Sequence, residues 1–211
     1  MPRRHEEDEK GDDEEFTLDI IRNEIHFNGP VTMKSMSELA RALYALDAEI
    51  RSCTRSIKRK WGEINDEDEE PYVKHKIEPA PIKLYLTTDG GLVYQALMVC
   101  DVIRRLETPV HTICTGFVAS AGTLISISGA KRYITEKGYM LIHEIRSGMW
   151  GKYTQMEEDH LNNKNLMKDL IRFYTERTQL TKKMLKKMLV KDIHWDAATC
   201  LEYGLVDKIL E

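Results

Sequence analysis

An uncharged stretch of 23 residues, from Thr108 to Ala130, constrains the fold of this chain more than any other feature. A helix of that length could span a lipid bilayer. The stretch also contains seven Ser or Thr residues, three glycines and Pro109, which a membrane span would tolerate poorly. We therefore expect a buried strand, a glycine turn and a buried helix inside a soluble core, without a membrane partner.

Strand-like and helix-like patterns alternate along the chain without internal repeats, which is typical of an α/β fold. Ser35 and Thr154 each begin an S/T-x-x-E sequence, which predicts that a capping box opens a helix at each position. Gly116 predicts a break after the strand that precedes it. Strands are predicted at residues 24–27, 83–87, 110–114, 132–135 and 139–143, and further helices at 92–106, 120–128 and after Thr181.

The charged residues divide the chain into segments. Residues 1–15 carry eight acidic and three basic side chains and contribute −5 to a net charge of −4, so the remainder is nearly neutral. This balance gives no electrostatic argument for a nucleic-acid partner. A basic run, an acidic run and prolines follow one another at about residues 51–80. We predict an acidic disordered tail at 1–15 and a single domain at 16–211, with a charged insertion at about 51–80.

The four cysteines give no sign of a metal site or of a disulfide framework. No C-x-x-C pair occurs among them, which argues against a zinc ribbon and a thioredoxin motif. The first residues contain an acidic run and no apolar segment of the kind that a secretory signal requires. We expect the cytoplasm or another reducing compartment.

Two turns could supply a nucleophile and backbone donors. Gly90 and Gly91 lie between a predicted strand and a predicted helix, where bare N–H groups can bind an oxyanion or merely form a tight turn. Ser120 lies at the predicted start of a helix, where it could act as a nucleophile or as an ordinary N-cap. No G-x-S-x-G or phosphate-loop pattern surrounds these residues.

Two later residues could complete acid–base chemistry. His143 ends an apolar predicted strand and could serve as a base or as a half-buried structural histidine. The sequence after it lacks the second histidine of H-E-x-x-H, so zinc hydrolysis has little support. Asp192 could orient an imidazole or cap a turn.

Taken together, these segments resemble the ClpP family of self-compartmentalised serine peptidases from about Ile21 to Ile209. The glycine motif, the serine motif, the histidine motif and a C-terminal signature occur in the family's order. They are the segments TTDGG at 87–91, VASAG at 118–122, MLIH at 140–143 and LEYGLVD at 201–207. The resemblance implies a ClpP/crotonase-type superhelix of strand–strand–helix units, with a protruding strand–helix handle at about residues 144–178.

The resemblance also implies a role for each site residue. Ser120 would attack the peptide carbonyl, His143 would transfer the proton, and Asp192 would orient the imidazole. The N–H groups of Gly91 and Ala121 would form the oxyanion hole. No metal or organic cofactor would take part, and ATP would be used only by a separate unfoldase.

Assembly and partners follow from the resemblance as well. Family members form heptameric rings that stack in pairs and can receive unfolded proteins from a Clp-type ATPase. Asp89 and Ile145 replace prolines common in the family, and the acidic tail differs from the family's axial segment. Three alternatives stay open: a non-catalytic ring subunit, a phage or viral maturation peptidase, and an acyl-CoA enzyme of the crotonase fold.

Overall fold

One eight-stranded sheet organises the part of the chain that the structure, a computed structural model, describes, namely residues 15–65 and 78–211. Its strands are β1 (Thr17–Ile21), β2 (Glu24–Asn28), β3 (Ile82–Thr88), β4 (Val110–Ala119), β5 (Lys131–Thr135), β6 (Tyr139–Leu141), β7 (Trp195–Asp196) and β8 (Lys208–Leu210). The main order is β1-β2-β3-β4-β5-β8, and β6 joins β4 and carries β7. The β1–β2 and β6–β7 pairs are antiparallel, and the other pairs are parallel.

Helices cover the sheet and bury its apolar side chains, which confirms the predicted α/β class. They are α1 (Met33–Asn65), α2 (Val93–Arg105), α3 (Ala121–Ser126), α4 (Tyr153–Arg177), α5 (Lys182–Met188) and α6 (Ala197–Glu202). The uncharged stretch forms β4 and α3 in the core, as predicted. Among the described residues, no helix combines the length and apolar character needed to cross a membrane.

Besides β3, β4 pairs with two further strands in turn, and the predicted break at Gly116 is wrong. The first half of β4 pairs with β5, and residues Phe117–Ala119 pair with β6. Gly116 lies between the halves with a φ of +64°, where the register with β3 shifts. The Thr87 hydroxyl donates to the Thr115 carbonyl at 2.7 Å beside this irregularity. Glycine therefore bends the strand, because it adopts this φ without strain, and pairing resumes beyond it.

Both predicted capping boxes are displaced. α1 begins two residues before Ser35, whose hydroxyl accepts from the Thr32 N–H at 2.9 Å. The Ser35 N–H donates back to the Thr32 hydroxyl at 3.1 Å, so these two residues form the reciprocal pair. α4 begins one residue before Thr154, and the Gln155 side chain accepts from the Lys152 N–H. At both helix starts, side chains other than those of the predicted capping box bond the first free N–H groups: Thr32 and Ser35 at α1, and Gln155 at α4.

The first part of the predicted charged insertion, residues 51–65, forms the second half of α1. This helix has 33 residues and is about 50 Å long. Its buried side chains end at Asp47, and the described side chains from 51 to 59 are exposed or only partly covered. The predicted acidic tail, except residue 15, and the acidic run at 66–70 lie outside the described residues. The single-domain organisation stays a prediction.

The predicted handle consists of α4 and the segment before it. Residues 142–152 have no regular secondary structure, so the predicted handle strand does not form. The Glu144 N–H donates to the carbonyl of Leu189, which directly follows α5, so this segment bonds to the end of a helix and not to a strand. Only Leu170 and Tyr174 of α4 are buried. Trp150, just before α4, is 99% exposed.

Candidate active site

The ends of neighbouring strands bring the predicted site residues to one edge of the sheet. β3, β4 and β6 are parallel, so their carboxyl ends lie side by side. Gly91 follows β3, Ser120 follows β4, and His143 follows β6 by two residues. In the antiparallel pair, Tyr139 and Met140 face Asp196 and Trp195. Continuing this register sets Asp192 opposite His143.

Ser120 has a strained backbone conformation, with φ +52° and ψ −126°. Ser120 is the N-cap residue of α3 by position, as one alternative predicted, but its side chain makes no capping hydrogen bond to the helix. The Ser120 N–H donates to the Leu141 carbonyl at 2.8 Å, and the Ser120 carbonyl accepts from the Thr123 hydroxyl at 2.6 Å. A positive φ in a residue with a side chain persists only where the surroundings hold it, and such strain concentrates at functional sites.

The glycine turn fits closely against the serine turn. A Cβ on Gly90 would lie 2.6 Å from the Cβ of Ser120, and one on Gly91 would lie 2.4 Å from the Val31 carbonyl oxygen. Val31 hydrogen-bonds the Gly90 carbonyl and the Leu92 N–H, so the Gly91 N–H points to the other side of the chain. The N–H of Ala121, the first residue of α3, has no partner within the helix.

His143 and Asp192 are neighbours, but they are not hydrogen-bonded. The His143 Nδ1 atom lies 3.7 Å from Oδ1 of Asp192, and 12% of the imidazole side chain is exposed. The other carboxylate oxygen, Oδ2, accepts from the Arg146 guanidinium at 2.8 Å. The structure thus brings the predicted base and acid together and adds a cation, Arg146, that the sequence analysis did not predict.

A pocket of about 360 Å³ connects these elements. Gly91, Ser120, Ala121 and His143 line it, whereas Asp192 does not. Its apolar wall comes from α2, α3, β6, α4 and the residues that follow β6 and α5: Val93, Leu124, Leu141, Ile145, Met167, Leu170 and Leu189. The pocket can therefore hold an apolar side chain beside the serine.

The sequence analysis missed two residues that support the serine turn. The Thr123 hydroxyl also lies 2.5 Å from the hydroxyl of Tyr174, which α4 contributes. Tyr174 is buried, and burial raises the pKa of its phenol. This contact ties the handle helix to the nucleophile turn. Only the spacing of apolar residues on α4 signalled Tyr174, and it suggested core packing rather than a polar partner.

The two departures from the family pattern lie at the rim of the pocket. Asp89 lines the pocket and is exposed to solvent, which screens the effect of its charge on the nearby backbone donors. Ile145 also lines the pocket, and its N–H donates to the Met167 sulfur at 3.4 Å. The loop after His143 is therefore held by α4 instead of by a proline.

The cysteines lie apart from this chemistry. All four are free, and only Cys53 is exposed. Burial raises the pKa of Cys100 and of Cys200 to about 12, so neither supplies a thiolate near neutral pH. No group of three or more potential metal-ligating side chains occurs in the described ranges, 15–65 and 78–211.

A strained serine and an imidazole thus line one pocket at the strand ends of an α/β sheet, with the turns of Gly91 and Ala121 beside them, which suits the chemistry of a serine hydrolase. Comparison with known sequences gives the family: the chain belongs to the Clp protease family, whose sequence model matches residues 72–211. The observed α/β architecture is consistent with the fold of that family.

Two curated relatives illustrate the similarity. One is the ATP-dependent Clp protease proteolytic subunit of Deinococcus radiodurans, 28% identical over 132 residues, which are 62% of this chain and 65% of the relative. The other is the ATP-dependent Clp protease proteolytic subunit 2 of Bacillus licheniformis, 30% identical over 131 residues, or 61% and 69% of the two lengths. The chain therefore spans about two thirds of the length of these relatives.

Proposed function

We propose that this chain is a serine endopeptidase that hydrolyses peptides and unfolded proteins. The observation that carries the proposal is the strained Ser120, whose side chain is free of any capping role and lines one pocket with His143. His143 would take the serine proton as the hydroxyl attacks the carbonyl, and would then give it to the leaving amine. Asp192 would hold the imidazole tautomer and stabilise its charged form.

The backbone would stabilise the tetrahedral intermediate. The N–H groups of Gly91 and Ala121 would donate to its oxyanion, and each such donor contributes about 3 kcal/mol in comparable sites. The apolar wall favours substrates with an apolar side chain beside the scissile bond. This chemistry uses no metal and no organic cofactor.

Assembly is part of the proposal. The handle carries an exposed apolar strip, which comprises Met149, Trp150, Tyr153, Met156 and Leu161. This strip supports pairing with further copies of the chain, in rings and double rings that would enclose the site. The relatives' names include an ATP-dependent protease, so we propose a separate Clp-type unfoldase as the user of ATP. We place the particle in the cytoplasm or another reducing compartment.

Hydrolysis of a fluorogenic peptide with an apolar residue at the cleavage site tests the proposal. The Ser120→Ala variant should lose at least about a thousandfold in kcat/KM, because it lacks the nucleophile. Ser128→Ala is the matched control, since this serine lies beyond α3 and outside the pocket. Equal hydrolysis by Ser120→Ala and wild type would overturn the assignment, and no hydrolysis by a well-assembled wild type would favour the non-catalytic ring subunit.

A further inference from the structure

Arg146 makes the shortest polar contact with the predicted triad acid. Its guanidinium lies 2.8 Å from Oδ2 of Asp192, whereas Oδ1 lies 3.7 Å from Nδ1 of His143. An N–H···O hydrogen bond requires about 2.7–3.2 Å, so the contact to the imidazole is about 0.5 Å too long. The carboxylate is held by the arginine and not by the histidine.

We propose that Arg146 is a positioning residue that competes with His143 for Asp192 and so restrains the hydrolytic site. The inference rests on the proposed function. A residue that supported the triad would hold the Asp192 carboxylate within hydrogen-bond distance of the His143 imidazole. Here the charge-assisted bond is made to Oδ2, while Oδ1, the oxygen that faces the imidazole, lies beyond hydrogen-bond distance of it. The arginine therefore holds the carboxylate in a position where it does not bond the imidazole, and its charge offsets part of the negative charge that would stabilise an imidazolium.

The location of Arg146 makes this restraint reversible. It lies in residues 142–152, which have no regular secondary structure and lead into the handle helix. The Arg146 side chain is 74% exposed and that of Asp192 is 57% exposed. Exposed ion pairs shift an equilibrium by about fivefold or less, and salt weakens them further. Arg146 therefore acts as a weak latch that movement of this segment or a change in ionic strength can open.

The rate of fluorophosphonate labelling tests the latch, because it reports serine activation without a chosen substrate. At low salt, Arg146→Gln should label about two- to fivefold faster than wild type, and Arg146→Lys should stay near the wild-type rate because it keeps the charge. Added salt should accelerate the wild type more than Arg146→Gln. Arg172→Gln is the matched control, since Arg172 is an exposed arginine of α4 that pairs with Asp169.

The outcomes separate the latch from the proposed function. If Arg146→Gln labels at the wild-type rate or more slowly, while Ser120→Ala does not label, the function stands and the latch is wrong. A slower Arg146→Gln with rescue by Arg146→Lys would mean that the arginine supports Asp192 instead. If no form labels, the proposed function and the latch both fall.

Discussion

At the scale of single residues, the site depends on Gly90 and Gly91, whose positive φ angles and close contacts favour glycine. Gly91 has a φ of +141°, and its position leaves no room for a side chain beside Val31. Gly91→Ala should therefore move the backbone donor and reduce fluorophosphonate labelling by about 10²–10³-fold, the usual effect of losing one oxyanion donor.

Gly148→Ala provides the control for this substitution. Gly148 has no atom within 4 Å of an added Cβ, and its φ lies outside the region that favours glycine. The Gly148→Ala variant should have the fluorophosphonate labelling rate and the Tm of the wild type. Wild-type labelling by Gly91→Ala, with no change in Tm, would show that Gly91 does not shape the site.

The residue pattern predicted the types of the site residues but not their exact contacts. Ser120, His143 and Gly91 end up at one pocket because each follows a parallel strand, and strand patterns are visible in the sequence. Arg146 could not be predicted, because an exposed arginine in a segment without periodicity has no pattern to identify its partner. The contact of Arg146 with Asp192 depends on the pairing of β6 with β7, which brings the residues after β6 close to those before β7 only in the folded chain.

At the scale of elements, a buried carboxylate fixes α1 to the connection between α2 and β4. Asp47 accepts from the Thr108 N–H at 2.8 Å and from Arg51 at 3.3 Å. Burial by itself would raise the pKa of Asp47, but these hydrogen bonds outweigh it and hold the pKa below its ordinary value. The carboxylate is therefore more acidic in the folded chain than in the unfolded chain.

Asp47→Ala should lower the free energy of unfolding by about 2 kcal/mol near neutral pH, because the buried Thr108 N–H loses its acceptor. The stabilisation by the charged form exists above the unfolded pKa, about 3.9, and disappears as the pH falls through the folded value. Denaturant titrations should show the gap to wild type narrowing below about pH 4. Asp101→Ala, at an exposed position of α2, is the control. A gap that is absent, or that widens in acid, would contradict this account.

The bounds of an element were predictable where one local pattern, such as apolar alternation, determines them. They were less predictable where several side chains can cap the same helix start. The apolar alternation of β3 placed that strand to within about one residue at each end. Helix starts shifted because Ser35 and Gln155 accept from the N–H groups of Thr32 and Lys152, which lie before the positions that the S/T-x-x-E pattern indicated. β1 was missed, since all but one of its side chains are exposed and it has no apolar face to reveal it.

At the scale of the whole molecule, the handle has two features that the proposed assembly would complete. The handle segment has no strand partner in the described chain, and an apolar strip that includes Trp150 faces solvent. Arg146 lies in that same segment and bonds Asp192 at 2.8 Å, whereas Asp192 and His143 are 3.7 Å apart. In the assembly that we propose, contact of the handle with a further copy would act on the segment that carries Arg146.

The most direct measurement is fluorophosphonate labelling of the largest oligomeric fraction, followed by peptide mapping of the modified residue. Ser120 combines strain, freedom from capping and a place in the pocket with His143, so we predict a single adduct on the peptide containing Ser120 and none in Ser120→Ala. An adduct on another serine, or undiminished labelling of Ser120→Ala, would contradict the claim that this residue is the nucleophile.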